Sequence, residues 1–311
     1  MTVRVVTDST ADLPPQLAHQ LRITVVPVYV RFGEKVYRDG VDISHDEFYQ
    51  KLVASPIHPT TSQPSPSDFA DVYRKLAKET EEIVSIQVTS KLSGTYNSAL
   101  QGRELAGVRC RIEVIDSLST SMGLGLIAMA AVRLATAGES LQTIMEEIRQ
   151  TIPNIHLLGF FDTLKYLLRG GRIGKAKALL GSILNVKPLI TMRDGELFPA
   201  GQVRTRFKGI ERLFDLVRNT SNIEEIAIVH STTPDEAGSL EERIASIFDK
   251  KRVHITRLGP ALGAHGGPGT LILALREKIS SISQDANEGK PSRKRFLLPP
   301  LRIPRLSFSR P

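Results

Sequence analysis

At 311 residues, with 41% hydrophobic and 24% charged side chains, the chain has the composition of an ordinary globular protein, long enough to bury a sizeable core and divide into two domains. No apolar run approaches the roughly 20 residues of a membrane span. No signal-peptide pattern precedes the first strand-like segment, and the single Cys110 excludes an intramolecular disulfide framework and fits a reducing cytoplasm. The net charge of +8 is a weak argument for nucleic acid, because residues 289–311 hold seven Lys/Arg and no acid, leaving +1 on the rest. The basic, Pro-rich tail 284–311 reads as disordered, either idle or in contact with acidic lipid, RNA or a partner.

From the N-terminus, "VRVVTDS" reads as a buried strand, "ADLPPQLAHQL" as a helix and "ITVVPVYVRF" as strand material. Ser44 is placed to cap the helix "HDEFYQKLVAS". The stretch 58–69, "HPTTSQPSPSDF", packs five hydroxyls and three prolines into twelve residues. Pro66 suits a first helical turn and Ser65 its cap, before an apolar stripe at Phe69, Val72, Tyr73 and Leu76. Thr61 and Ser62 are left without a local job. Strand, helix, strand, helix follow as "EIVSIQVTS", "SGTYNSALQGRELAG", "RIEVIDS" and "SMGLGLIAMAAVRLATAG", with a further helix at about 140–151. Such alternation predicts a parallel sheet covered by helices, a Rossmann-like α/β domain over residues 1–155. Ligand sites in such sheets lie at the carboxyl ends of strands, where Thr61, Ser62, Ser93, Gly94, Asp116 and Ser117 fall.

Beyond about 156 the pattern changes to α+β with mixed or antiparallel strands, predicting a second domain over 156–283. A short strand and two helices joined by Gly170-Gly171 come first. A hairpin turning at Asp194-Gly195 follows. Then come a helix (206–219), the strand "EIAIVHS", a helix (234–248), the strand "RVHITRLG" and a last helix at 268–281.

Several familiar motifs fail. "GGRIGKAKALL" lacks both the first glycine and the hydroxyl of a P-loop. "GLGLIA" (Gly123–Ala128) matches G-x-G-x-x-A but stands about seven residues past its strand, so close helix packing explains it better. There is no G-x-S-x-G elbow, and no Cys/His/carboxylate cluster has metal-ligand spacing.

The motifs left standing are "VTDSTADLP" (6–14), "TSQPSPSDF" (61–69), "KLSGTYNSA" (91–99), "VIDSLSTSMGLG" (114–125), "LLRGGRI" (167–173) and "GAHGGPGT" (263–270). In this order they resemble the DegV family of bacterial fatty-acid-binding proteins, the carrier subunits of fatty acid kinase systems, from residue 3 to about 281. The resemblance implies a non-catalytic cytoplasmic carrier in phospholipid metabolism that holds one long-chain fatty acid in a tunnel between two domains. A separate ATP-dependent kinase subunit would convert the carboxyl group to an acyl-phosphate. It further implies that Thr61, Ser62, Ser93 and His265 converge on the carboxylate, and that Arg169, Arg172 and Arg204 serve kinase docking or phosphoryl transfer. No cofactor is implied beyond the bound acid, and membrane contact would be transient at most.

Elementary energetics agree with such a ligand. Burying about 16 methylenes at ~0.8 kcal/mol each offers roughly 12 kcal/mol gross, which association costs offset in large part. The carboxylate, dragged toward low dielectric, needs donors; hydroxyls and a histidine supply them without a permanent charge. Plainer readings stand beside these. Thr61 reads also as a turn hydroxyl, Ser93 as a helix cap, His265 as one residue of a glycine-rich loop, and Asp8 with Ser9 as turn fixtures. "SMGLGLIAMAAV" reads as core, as tunnel lining, or both. Two other function classes remain: an esterase or thioesterase using Ser93 and His265, and a nucleic-acid protein acting through its tail.

Overall fold

A computed structural model describes residues 3–180 and 186–279; the tail predicted over 284–311 lies outside them. The described residues form one compact unit. In chain order its N-terminal part comprises β1 (Arg4–Asp8), α1 (Pro15–Gln20), β2 (Ile23–Val26), β3 (Tyr29–Phe32), β4 (Lys35–Arg38), α2 (His45–Ala54), β5 (Thr60–Ser62), α3 (Pro66–Leu76), β6 (Glu82–Gln87), α4 (Thr95–Ala106), β7 (Arg111–Asp116), α5 (Ser121–Thr136) and α6 (Leu141–Thr151). There follow β8 (Ile155–Phe160), α7 (Lys165–Arg169), β9 (Lys187–Arg193), β10 (Glu196–Val203), α8 (Arg206–Asn219), β11 (Ile223–His230), α9 (Pro234–Ala245), β12 (Val253–Arg257), α10 (Pro260–Gly266) and β13 (Leu271–Glu277).

Three sheets result. The first, β2-β1-β6-β7, is wholly parallel, as the strand–helix alternation predicts. The second, β10-β9-β8-β13-β11-β12, is antiparallel except for its last pair. The third is a small antiparallel ribbon, β4-β3-β5. The segment "ITVVPVYVRF" is therefore two strands in two sheets. Pro27, with no N–H to continue a ladder, falls at the break between them.

The long helix α5 buries thirteen of its sixteen residues and packs against both large sheets. This is why it is apolar all round rather than on one stripe. Residues from both halves accordingly share one core, with Ile86 and Leu124 beside Leu157, Val229 and Ile272. Among the described residues no helix is long and apolar enough to cross a membrane.

Local signals hold. Ser44 and Ser65 both complete capping boxes, with Glu47 and Asp68 as reciprocal partners. Asp194 and Gly195 both take positive φ at the hairpin turn. Two expectations do not. The segment after Gly171 forms a 3-10 helix (Gly174–Leu179) instead of an α-helix. The last predicted helix, over 268–281, is overturned where the structure describes it. Residues 271–277 are β13, hydrogen-bonded between β8 and β11. Its run "LILAL" is buried on both faces, and a fully buried strand carries the same unbroken apolar signal as a buried helix. Gly267 and Gly269, both at φ +75°, end the helix that does exist, α10, ahead of it.

Candidate functional site

The loop bearing Thr61 is held at both ends. Upstream, β5 pairs with β3, Thr61 opposite Val30 and Ser62 opposite Tyr29. Downstream, the Tyr29 hydroxyl donates to Asp68 at 3.1 Å, tying the ribbon to the capped start of α3. Gly94, at the start of α4, lies under Gln63; a Cβ there would stand 2.5 Å from the Gln63 amide. That close approach sets Ser62 and Gln63 beside Ser93, whose hydroxyl accepts from the Thr95 N–H at 3.3 Å and pairs with the Thr95 hydroxyl at 2.8 Å.

Helix α10 supplies the opposite side. His265 Nε2 lies 2.9 Å from Thr61 Oγ1, a bond between residues 204 positions apart in the chain. Its Nδ1 is buried with no partner and is backed by Gly170, where a Cβ would come within 2.1 Å of that nitrogen. Burial, with the charges of Arg172 and His58 adding to it, pushes the His265 imidazole down to about 4, so it is neutral at neutral pH. Arg172 is fixed by the carbonyls of Leu92 (3.3 Å) and Gly170 (2.9 Å).

Thr61, Ser62, Ser93, Arg172 and His265 all line one cavity. Behind them its wall is apolar, with Leu157, Ile190 and Ile272 from the mixed sheet and Leu258, Ala261 and Leu262 from the approach to α10 and from α10 itself. The unfilled space, open mouth included, is about 880 Å³, of which the centre of a water molecule can reach only about 100 Å³. This is a narrow slot, not a chamber, and it suits a thin apolar chain with a polar head. Arg169 and Arg204 are exposed and lie outside the cavity wall.

Residue-by-residue reading missed four polar residues of the wall, Thr10, Gln63, Thr120 and Ser121. All four sat within quoted motifs without a role. It also missed α10, whose "PALGAHG" looks like loop. The turn-fixing alternative for Asp8 and Ser9 matches their bonds. Asp8 accepts from the N–H groups of Thr10 (2.9 Å) and Val88 (2.8 Å), and Ser9 donates to Asp39 at 2.8 Å. Gly123–Ala128 lies inside α5, and a Cβ on Gly125 would stand 2.8 Å from the Ala11 carbonyl, so packing explains those glycines.

The other end of α10 is built from acids. Asp12 accepts from the Gly259 N–H at 2.8 Å and from the Ser121 hydroxyl at 2.5 Å, and Asp39 stands beside Gly259 as well. Burial pushes Asp12 up to about 8 and Asp39 up to about 7, and raises Asp8. The Tyr49 hydroxyl adds a bond to the Leu258 carbonyl at 3.0 Å.

A parallel sheet joined to a mixed sheet, with a narrow apolar slot whose mouth carries mostly neutral hydrogen-bonding groups, defines a class: a small-molecule binding protein for an amphipathic ligand. The chain belongs to the DegV family. The family model, described as "Uncharacterised protein, DegV family", matches residues 2–278. A DegV domain-containing protein of Caldanaerobacter subterraneus is 37% identical over 89% of this chain and 99% of its own. A solved DegV family protein from Thermus thermophilus, which binds fatty acid, is 34% identical with a TM-score of 0.82, covering 89% of this chain and all of that one. A stearic acid-binding protein from Eubacterium ventriosum is 29% identical with a TM-score of 0.79, over 88% of this chain and 98% of its own.

Proposed function

We propose that this protein is a carrier that binds one long-chain fatty acid in the slot, its carboxylate at Thr61, Ser62, Ser93 and His265. The observation that carries this reading is the Thr61–His265 pair at the mouth of an apolar slot. The solved relatives from Thermus thermophilus and Eubacterium ventriosum bind fatty acids, which supports the same ligand here. Hydroxyls solvate a carboxylate without locking it in place, and Arg172, already committed to two carbonyls, adds charge from the wall. The cavity then divides an N-terminal domain (1–155) from a C-terminal one (156–283).

A carrier that leaves the head group at its mouth serves a second protein. In the reading the family resemblance implies, a separate ATP-dependent kinase phosphorylates the bound carboxyl to an acyl-phosphate, in the cytoplasm. Arg169 and Arg204, exposed outside the slot, and Arg172 in its wall serve that partner. Protein as purified is expected to release close to one equivalent of fatty acid on organic extraction, and native mass spectrometry to show the matching mass. Empty protein that takes up no added palmitate or oleate would count decisively against the carrier.

The esterase alternative finds little support. His265 bonds Thr61 instead of Ser93, Ser93 bonds Thr95, and among the described residues no carboxylate orients His265. The nucleophile–base–orienter chain of a serine hydrolase is thus not assembled. A serine-directed phosphonate is expected to leave Ser93 unlabelled.

A further inference from the structure

One polar group in the slot has no task in holding a carboxylate. Thr120 lines the cavity, is 8% exposed, and its hydroxyl oxygen is buried without a partner. It is the N-cap residue of α5, a position where a threonine hydroxyl ordinarily bonds the N–H groups of the first turn, yet it makes no capping bond. The two hydroxyls that share this part of the wall are spoken for: Thr10 donates to Asp8 and Ser121 to Asp12. Thr120 alone is left over. A buried, unsatisfied hydroxyl costs free energy unless something bonds it.

Its place along the slot is fixed by Asp12, which bonds both Ser121 and the N–H of Gly259. From Gly259 to His265 is six residues along α10, about 9 Å at the helical rise. Thr120 therefore stands well inside the slot from the carboxylate site, level with the middle of a long acyl chain. The group left to bond there is the Thr120 hydroxyl. A second carboxylate is disfavoured, because among the described wall residues Arg172, at the head-group site, is the one cation, and a carboxylate buried without a partner is costly. A neutral oxygen avoids that cost, and a hydroxyl matches Thr120 as donor and acceptor alike.

We infer that Thr120 reads a mid-chain oxygen, so that the slot accepts fatty acids bearing a hydroxyl near the middle of the chain as well as plain ones. This rests on the fatty-acid reading above and adds a substrate class to it. The test is competitive displacement of a fluorescent fatty acid from the full-length protein by stearate, 10-hydroxystearate and 12-hydroxystearate, repeated with Thr120→Val and Thr120→Ser. In the unaltered protein at least one hydroxylated acid is expected to bind as tightly as stearate. Thr120→Val is expected to weaken that acid roughly tenfold while leaving stearate unchanged or tighter, the scale of one lost buried hydrogen bond. Thr120→Ser, which keeps the hydroxyl, is expected to restore the preference. Stearate bound tightly but both hydroxylated acids rejected tenfold or more by the unaltered protein overturns this inference alone, as does an equal effect of Thr120→Val on all three acids. Failure of stearate itself to bind overturns the fatty-acid reading and this inference with it.

Discussion

The two ends of α10, seven residues long, are built on opposite plans. At Gly259 the chain entering the helix is held by buried hydrogen bonds: Asp12 accepts from the Gly259 N–H and Tyr49 donates to the Leu258 carbonyl, with Asp39 beside them. At His265 satisfaction stops halfway, with one ring nitrogen on Thr61 and the other on nothing. The first end is an anchor, and the second is left to be completed by a ligand. A fully satisfied buried network rigidifies, whereas a partly satisfied one keeps an unmet demand. In this protein that demand faces the slot, so anchoring one end allows the other to remain unfinished without the helix drifting.

Breaking the anchor has the largest expected effect. Asp12→Ala strips the partners from the Gly259 N–H and the Ser121 hydroxyl, and a loss of about 3 kcal/mol in urea unfolding is expected. Because Asp12 titrates near 8, Asp12→Asn imitates its neutral form and is expected to cost much less. Equal losses in the two variants would show that Asp12 is charged in the folded protein.

Moving the unfinished end comes next. Gly170→Ala drives a methyl into His265 Nδ1 and must displace the ring from Thr61. A tenfold or greater loss of fatty-acid affinity is expected by the same displacement assay, with the unfolding midpoint shifted far less than in Asp12→Ala. Thr61→Val, isosteric but without the hydroxyl, is expected to cost affinity several-fold and stability under about 1 kcal/mol.

The smallest and most discriminating effect is in pH. His265 binds its proton less readily folded than unfolded, so its contribution to stability is lost as pH falls from about 6.5 toward 4. Asp12 and Asp39 bind theirs more readily folded, so their contribution is present at low pH and lost as pH rises toward 8. The two ends of one helix thus tilt the stability profile in opposite directions. His265→Gln is expected to remove the rise in stability between about pH 4 and 6.5, and Asp12→Asn to remove the opposing fall between about pH 4 and 8. A fall that survives unchanged in Asp12→Asn would show that Asp12 is not its source.

Legibility followed the range of the interaction. Ser44, Ser65 and the Asp194-Gly195 turn act within four residues, and the sequence announces each. Thr61, Ser93 and His265 were reached through family motifs; the residues alone left each of them a plain alternative. Ser93 keeps part of its plainer role, since it bonds the first residue of α4. Asp12 sat inside the motif "VTDSTADLP" with no role attached to it, and Asp39 carried no signal. An aspartate beside proline and leucine or beside glycine looks like any turn residue until the fold closes over it.

The linear order of residues therefore determined the parallel sheet of the N-terminal half, the caps and the hairpin, because backbone hydrogen bonding, side-chain period and turn chemistry are local. Only the closed tertiary structure decided that "LILAL" is a strand, that Thr61 meets a histidine 204 residues away, and that an aspartate holds its proton near neutral pH. Each of these depends on what the rest of the molecule excludes from water, and no short stretch of chain contains that information.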